Sequence, residues 1–146
     1  MRTIEFRGKR IDNGEWVYGD LFRAIKFGNP SVFLGGMCIQ AETPDGVRSI
    51  DIDPETIGQF TGFFDKKGTK IYEGDIITYI RQLLDGTGIL EQGKVEWSQE
   101  EGRYVFVDRI LTKDNREIVT PLIRCKNIRV IGNIHDQPEL MKGAEP

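Results

Sequence analysis

The chain has little of the residue chemistry on which most enzymes and metal proteins depend. Among its 146 residues there is one histidine, and there are two cysteines. Cys38 and Cys125 lie far apart and form no Cys-x-x-Cys pair, so the sequence gives no support to a metal cluster or a small disulfide framework. We expect two reduced, mostly buried thiols and no cofactor.

The chain also lacks an excess of charge of either sign. Lys and Arg number 20 against 23 Asp and Glu, which gives a net charge of −3 and a sequence pI near 5.3. Such a chain has no global field to attract a polyanion or an anionic membrane. Binding to nucleic acid would therefore need a local basic surface.

Long apolar runs are missing as well. No window approaches the roughly 20 apolar residues of a membrane-spanning helix. The first residues, 1–7, alternate polar and apolar side chains at once, which does not fit a signal peptide. We expect no membrane contact and a cytoplasmic location in a bacterial host cell.

Helical periodicity is scarce, since no stretch sustains apolar residues at i, i+3, i+4 and i+7. The 17 glycines and only 6 prolines instead indicate many tight turns between short strands. The length suits one domain. We predict a mainly β fold of short antiparallel strands, as a single domain that divides into an N-terminal β lobe (1–56) and a central and C-terminal barrel-like lobe (57–146).

Turn residues place the predicted strands. Asp12-Asn13-Gly14-Glu15 predicts a hairpin in which Asn13 and Gly14 both take positive φ. After the turn at 44–46, the alternation in 47–53 predicts a half-buried strand with Ile50 and Ile52 on one face.

Further along, the pattern predicts one strand from Ile71 to about Ile80, then a mobile polar loop from Gln82 to Gly93. A second hairpin is expected from 94–97 and 103–107. The segment 128–134 is rich in β-formers, and Pro138 opens a C-terminal helical turn.

The run 57–77 is the most distinctive part of the sequence. Its glycines mark positions that need positive φ or close approach of the backbone, and an aspartate follows the last of them. The structural signature consists of Gly58, Gly62, Gly68, Gly74 and Asp75.

Four stretches together resemble the YopX family of phage and prophage proteins. They are Gly58-Gln59-Phe60-Thr61-Gly62, Asp65-Lys66-Lys67-Gly68, Ile71-Tyr72-Glu73-Gly74-Asp75-Ile76 and Val130-Ile131-Gly132-Asn133-Ile134. The openings 4–10 and 14–19 are also similar to that family, whereas Phe63-Phe64 replaces a more usual Leu followed by a polar residue.

The resemblance implies a mainly β protein encoded by a phage or an integrated element, and it implies no assigned activity. A Gly-Asp pair followed by a strand is similar to the entry into Src-homology-3-like small barrels. We therefore predict such a barrel as the architecture.

The residues that could form a catalytic or metal site each have a simpler structural explanation. His135 and Asp136 could serve a cysteine nucleophile, but no nucleophile motif surrounds Cys38 or Cys125, and His135 fits a surface or capping position. The acids that could bind a hard cation fit a solvated face or turn positions better. They are Asp51, Asp53, Glu55, Asp65, Glu73 and Asp75.

The stretch 103–129 holds seven Lys or Arg against three acids, with Tyr104 and Phe106 interleaved. This composition is typical of a nucleic-acid contact strip, and an ordinary solvated strand face is the alternative. The candidate binding residues are Arg103, Tyr104, Arg109, Arg124, Lys126 and Arg129.

A peptide-binding groove is a further alternative. Its candidate walls are aromatic, although a domain of this size needs most large side chains in its core. They are Trp16, Tyr18, Phe60, Phe63, Phe64 and Tyr72.

The sequence as a whole favours a non-enzymatic binding or assembly protein with an unknown protein partner. A nucleic-acid-associated accessory protein that uses the 103–129 strip is the alternative. Because the acidic segment 41–65 and the basic segment 103–129 are complementary, we also expect a homo-oligomer.

Overall fold

The computed structural model describes residues 1–24, 36–108 and 117–141. Arg109 of the predicted strip lies outside these residues. The strands in chain order are β1 (Phe6–Lys9), β2 (Trp16–Arg23), β3 (Met37–Thr43), β4 (Gly46–Asp51), β5 (Gly58–Phe64), β6 (Lys70–Tyr72), β7 (Asp75–Gln82), β8 (Gly88–Ser98), β9 (Arg103–Asp108), β10 (Ile118–Pro121) and β11 (Arg129–Asn133). Short 3-10 turns cover Pro54–Thr56, Leu122–Arg124 and Pro138–Met141.

All strand pairs are antiparallel and form two sheets, with the orders β4-β3-β2-β1-β5-β6 and β10-β9-β8-β7-β11. The mainly β class and the C-terminal helical turn are thereby confirmed. The small barrel is not confirmed, because neither sheet closes on itself within the residues described. No helix in these residues has the length and apolarity to cross a bilayer.

The chain forms two compact units, residues 1–60 and 61–146, and β5 runs across the division. In the first unit, β1 and β2 form the predicted hairpin, which closes at the pair Lys9 and Trp16. The turn differs from the prediction, because only Gly14 has positive φ (73°). Asn13 instead accepts a hydrogen bond on Oδ1 from the Glu15 amide at 2.9 Å, which fixes the turn without a left-handed asparagine.

The hairpin of β3 and β4 supplies the core of the first unit. Pro44-Asp45 connects Thr43 to Gly46, and the predicted alternation follows. Ile50 and Ile52 are buried together with Ile39 and Ala41, while Asp51 is exposed. A period of two in the sequence thus produces one apolar face in the sheet.

In the second unit the single strand predicted from Ile71 to Ile80 is divided into β6 and β7. Glu73-Gly74 turns the chain between them, with Gly74 at φ 87°. Asp75 is buried, and its Oδ2 accepts a hydrogen bond from the Tyr72 amide at 2.8 Å. The glycine permits the turn and the carboxylate fastens it.

The prediction of a loop from Gln82 to Gly93 is wrong. Residues 88–93 belong to β8 and pair with 77–82 of β7, so only 83–87 form a turn. Asp85 fixes that turn by accepting a hydrogen bond from the Thr87 amide at 2.9 Å. Glycines at 88 and 93 and a buried Glu91 hide the strand pattern from the sequence.

The core of the second unit is built from β6 to β9 and the segment that precedes β11. Phe106 is fully buried and meets Tyr79 edge-on, with ring centroids 4.8 Å apart. Around them pack Ile71, Ile77, Val95, Tyr104, Leu122, Cys125 and Ile128. Val105 and Val107 are also buried, so both faces of β9 are covered.

We predict that Gly74→Val lowers the free energy of unfolding by about 1 to 3 kcal/mol, because valine is strained at a φ of 87°. Gly74→Asn should cost less, since asparagine tolerates the left-handed region better than a β-branched residue. Chemical denaturation of both variants measures the difference. An unchanged stability in Gly74→Val would contradict a structural requirement for this glycine.

Candidate functional site

The segment 124–129 combines buried apolar anchors with exposed cations. Cys125 and Ile128 face the core, whereas Arg124, Lys126 and Arg129 are exposed. The segment is attached to β7 by the Ile80 amide, which donates to the Lys126 carbonyl at 3.1 Å. The basic side chains therefore project from a backbone that is held in place.

The turn between β5 and β6 adds two further cations near this segment. The Lys66 amide donates to the Ile128 carbonyl at 2.9 Å, and the Val130 amide donates to Asp65 Oδ2 at 3.1 Å. Lys66 and Lys67 are both exposed. We name this region the basic surface; it consists of Lys66, Lys67, Arg124, Lys126 and Arg129.

None of the five side chains of the basic surface forms an ion pair within the described part of the chain. The ion pairs found there join other residues, namely Arg10 to Asp12, Arg81 to Glu91, Lys94 to Glu96 and Arg103 to Glu101. Lysines and arginines that lack acidic neighbours are available to a ligand with negative charge.

Asp65 is the acid closest in sequence to the basic surface, but its carboxylate points inward. It is buried and also accepts hydrogen bonds on Oδ1 from the amides of Lys67 and Thr69, each at 2.9 Å. Burial alone would raise the pKa of the Asp65 carboxyl, but the backbone donors, with Val130 among them, outweigh burial and lower the pKa below its ordinary value. The charge of Asp65 is thus used to hold the turn.

The N-terminal part of the predicted strip does not belong to the basic surface. Arg103 is paired with Glu101 at 2.8 Å. Tyr104 is 8% exposed and packs edge-on against Trp97, with ring centroids 5.0 Å apart. Tyr104 must therefore be removed from the predicted contact residues, because a strand covered on both faces places its aromatic rings in the core.

The sequence predicted Arg124, Lys126 and Arg129 as contact residues and did not point to Lys66 and Lys67. The available signal was the Asp-Lys-Lys-Gly turn, because a tight turn exposes its central side chains. Its contact with residues 128–130 is made across more than sixty positions of sequence. Local patterns do not encode such a pairing.

The burial and hydrogen bonds of the two cysteines and of the turn at His135 are typical of residues that support the fold. Cys125 is buried, and desolvation raises the pKa of its thiol to about 12. Cys38 is buried and donates from Sγ to Asp51 Oδ1 at 3.1 Å. The amides of His135 and Asp136 both donate to Asn133 Oδ1, at 3.0 and 2.9 Å, so this dipeptide forms a turn after β11.

The acidic residues are also engaged locally. Asp53 caps the 3-10 turn Pro54–Thr56 by accepting from the Glu55 amide at 3.0 Å. Asp65 and Asp75 accept from backbone amides, as described above. Within 1–24, 36–108 and 117–141, no group of three or more His, Cys, Asp or Glu side chains is arranged to hold a metal ion.

The aromatic residues proposed for a groove differ in exposure. Phe60 and Tyr72 are buried, which removes them from any exposed wall. Tyr18 and Phe64 are 46% and 55% exposed. Trp16 lies beneath two cations, with the Arg7 guanidinium 4.6 Å and the Lys9 ammonium 5.5 Å from its ring centroid.

We predict that Cys125 reacts slowly with iodoacetamide in the folded protein. At about pH 8.5 a thiol with a pKa of about 12 is almost entirely protonated, whereas an unfolded cysteine, with a pKa of about 8.5, is about half ionised. The Cys38→Ser variant isolates Cys125. Its alkylation should be more than tenfold slower in buffer than in denaturant, and equal rates would show that Cys125 is accessible and ionised in the fold.

Comparison with solved structures supports the architecture. The chain is similar to the crystal structure of protein EF1440 from Enterococcus faecalis, with a TM-score of 0.51 and 22% sequence identity. The match covers 97% of this chain and 100% of that chain. At this level of identity the likeness concerns the fold alone.

No curated protein is significantly similar to the chain in sequence. The family model described as YopX protein matches residues 5–142. That range contains the glycine signature, both sheets and the whole basic surface. The chain therefore belongs to the YopX family.

Proposed function

We propose that the protein is a non-enzymatic binding protein of phage or prophage origin that acts in the bacterial cytoplasm. We propose further that the basic surface binds the phosphate backbone of nucleic acid. The observation that carries the proposal is the hydrogen bond from the Lys66 amide to the Ile128 carbonyl, which joins the Lys66-Lys67 turn to the backbone of the segment 124–129. No acidic side chain in the described residues forms an ion pair with the five cations of the basic surface.

The chemistry of these side chains favours phosphate over a base edge as the contact. Exposed lysines on turns are flexible point charges, which neutralise phosphates without reading the sequence. The two aromatic rings first expected to stack on bases, Tyr104 and Phe106, are buried. Binding should therefore depend strongly on salt and weakly on base sequence.

The non-enzymatic part of the proposal rests on how reactive groups are used. The Cys125 thiol is kept protonated by burial, and Asp65 and Asp75 are occupied by backbone amides. Groups that are fixed by the backbone at turns stabilise the fold and are poor candidates for proton transfer. A binding role uses the exposed cations instead.

We predict that the double variant Lys126→Gln/Arg129→Gln raises the Kd for labelled duplex DNA of about 20 base pairs by at least tenfold. Each lost phosphate contact should also reduce the slope of log K against log salt by about 1. Fluorescence anisotropy from about 50 to 200 mM salt measures both quantities. Lys66→Gln/Lys67→Gln should act in the same way.

Arg103→Gln is the matched control for these variants, because it removes a cation of the original strip that is paired with Glu101. Its Kd should remain within about twofold of the wild-type value. Failure of the wild-type protein to bind DNA or RNA at the lowest salt would overturn the nucleic-acid proposal. Equal losses in Arg103→Gln and Lys126→Gln/Arg129→Gln would overturn the assignment to the basic surface.

Self-association is the second proposed interaction. The first unit exposes Glu42, Asp45, Asp51 and Glu55, and the second exposes the basic surface, so two copies carry complementary charges. A closed symmetric assembly would pair such surfaces.

We predict by light scattering a mass that is a multiple of 16.7 kDa and that falls towards 16.7 kDa at high salt. The reason is that screening weakens exposed ion pairs between copies. A mass of 16.7 kDa at all protein and salt concentrations would contradict the oligomer.

A further inference from the structure

Along residues 46–50, β4 has a strand neighbour on one side only within the described residues. In the described part of the chain it ends the sheet and pairs with β3. Val47 is 55% exposed, and Arg48 and Ser49 are exposed as well. An open edge strand is a template for another extended segment.

The register identifies the backbone groups on this open edge. The Ile52 amide donates to the Met37 carbonyl at 3.1 Å, so in the antiparallel ladder Ile50 and Arg48 also turn their amides and carbonyls towards β3. Val47 and Ser49 therefore direct theirs away from the sheet. At Asp51 the outward carbonyl is already used, because it accepts from the Ile11 amide at 3.2 Å.

A cleft of about 680 Å³ lies beside this edge, between the β1–β2 connection and the β3–β4 hairpin. Ile11 and Ile50 give it apolar walls, and Arg48, Asp45 and Asp51 give it charges of both signs. Its volume lies in the range of ligand-binding sites. The edge and the cleft thus form one continuous place for a bound segment.

Some of the charged side chains that line the cleft are available to a ligand, and others are paired with each other. Arg10 and Asp12 neutralise each other through hydrogen bonds of 2.9 Å and 2.7 Å. Arg48 forms no ion pair with a described residue. By strand alternation Arg48 shares a face with Ile50, and Asp51 lies on the opposite face with Ser49.

The same geometry disfavours a second copy of β4 as the occupant. An antiparallel pairing that uses both outward residues sets Val47 of one copy opposite Ser49 of the other. Arg48 then lies opposite Arg48, and like charges directly opposite each other destabilise a sheet. The occupant that fits has a carboxylate at that position.

We propose that β4 binds an extended peptide segment of a partner protein. The segment adds a strand through about four backbone hydrogen bonds to Val47 and Ser49. It places an acidic side chain opposite Arg48. A basic side chain opposite Ser49 reaches Asp51 diagonally, because Ile11 already occupies the position opposite Asp51. Arg48 and Asp51 lie on opposite faces of the strand. The positions of the acidic and basic residues in the segment therefore differ by an odd number, as in i and i+1 or i and i+3.

A proline at residue 49 tests the backbone contact. The Ser49 amide points away from β3, so proline removes an edge donor without breaking the ladder, and the melting temperature should change little. Arg48→Pro is the matched control, because it removes an amide directed at β3 and should lower the melting temperature. The opposite order of melting temperatures would overturn the assigned register.

Selection from a display library of linear peptides of about seven residues supplies the ligand. Peptides enriched on the wild-type protein should carry the acidic and basic residues at odd spacing. Their Kd should rise at least tenfold in Ser49→Pro, and Arg48→Glu, which leaves the edge amides in place, should raise it at least fivefold. Lys126→Gln/Arg129→Gln should leave it unchanged, which separates this site from the basic surface.

Three results would overturn the proposal. The first is a selection that enriches no peptide relative to the same selection on Ser49→Pro. The second is peptide binding that is equal in wild type, Ser49→Pro and Arg48→Glu. The third is a dimer, seen by light scattering, that Ser49→Pro dissociates while no peptide binds, because the edge would then serve a second copy.

Discussion

The carboxylate of Asp65 is the interaction on which the second unit most depends. It fixes the turn between β5 and β6 through the amides of Lys67 and Thr69, and it reaches β11 through the amide of Val130. Removing it would take the shared acceptor from three partly buried hydrogen bonds, which water can replace only in part. Because these hydrogen bonds hold the pKa of Asp65 down, their stabilisation is present above the pKa of an unfolded aspartate, about 3.9, and is lost as the pH falls through the lower folded value.

The same carboxylate also determines where positive charge collects. Lys66 and Lys67 follow it directly, and its bond to Val130 sets them beside the segment that carries Lys126 and Arg129. Because Asp65 is turned inward, it forms no ion pair with Lys66 or Lys67 in the described residues. A protein with a net charge of −3 can in this way still expose a group of cations.

How far the sequence predicts the structure depends on the range of the interaction. The positive φ of Gly74 and the backbone hydrogen bond that Asp75 accepts agree with the residue types of the glycine signature. The strand predicted from Ile71 to about Ile80 nevertheless contained no turn at these residues. The turn at Asn13 was mispredicted in detail, because an asparagine can fasten a turn with its side chain as well as by taking positive φ. Local sequence determines whether a turn forms more reliably than it determines the type of turn.

Longer-range features could not be predicted in the same way. The strand at 88–93 was missed because glycine and a buried Glu91 interrupt its alternation, and only pairing with β7 makes it a strand. Tyr104 looked like a contact residue because the sequence around it is basic, yet β9 is covered on both faces. Burial on a second face is a property of the packed sheets and leaves no period-two signal in the strand itself.

The distribution of polar groups also explains why binding is a better proposal than catalysis. The buried carboxylates of Asp65 and Asp75 and the amide side chain of Asn133 all accept hydrogen bonds from nearby backbone amides, which stabilises turns. The cleft beside β4 instead combines exposed charges with an open strand edge. Exposed charges on mobile side chains suit recognition of a charged partner better than they suit proton transfer.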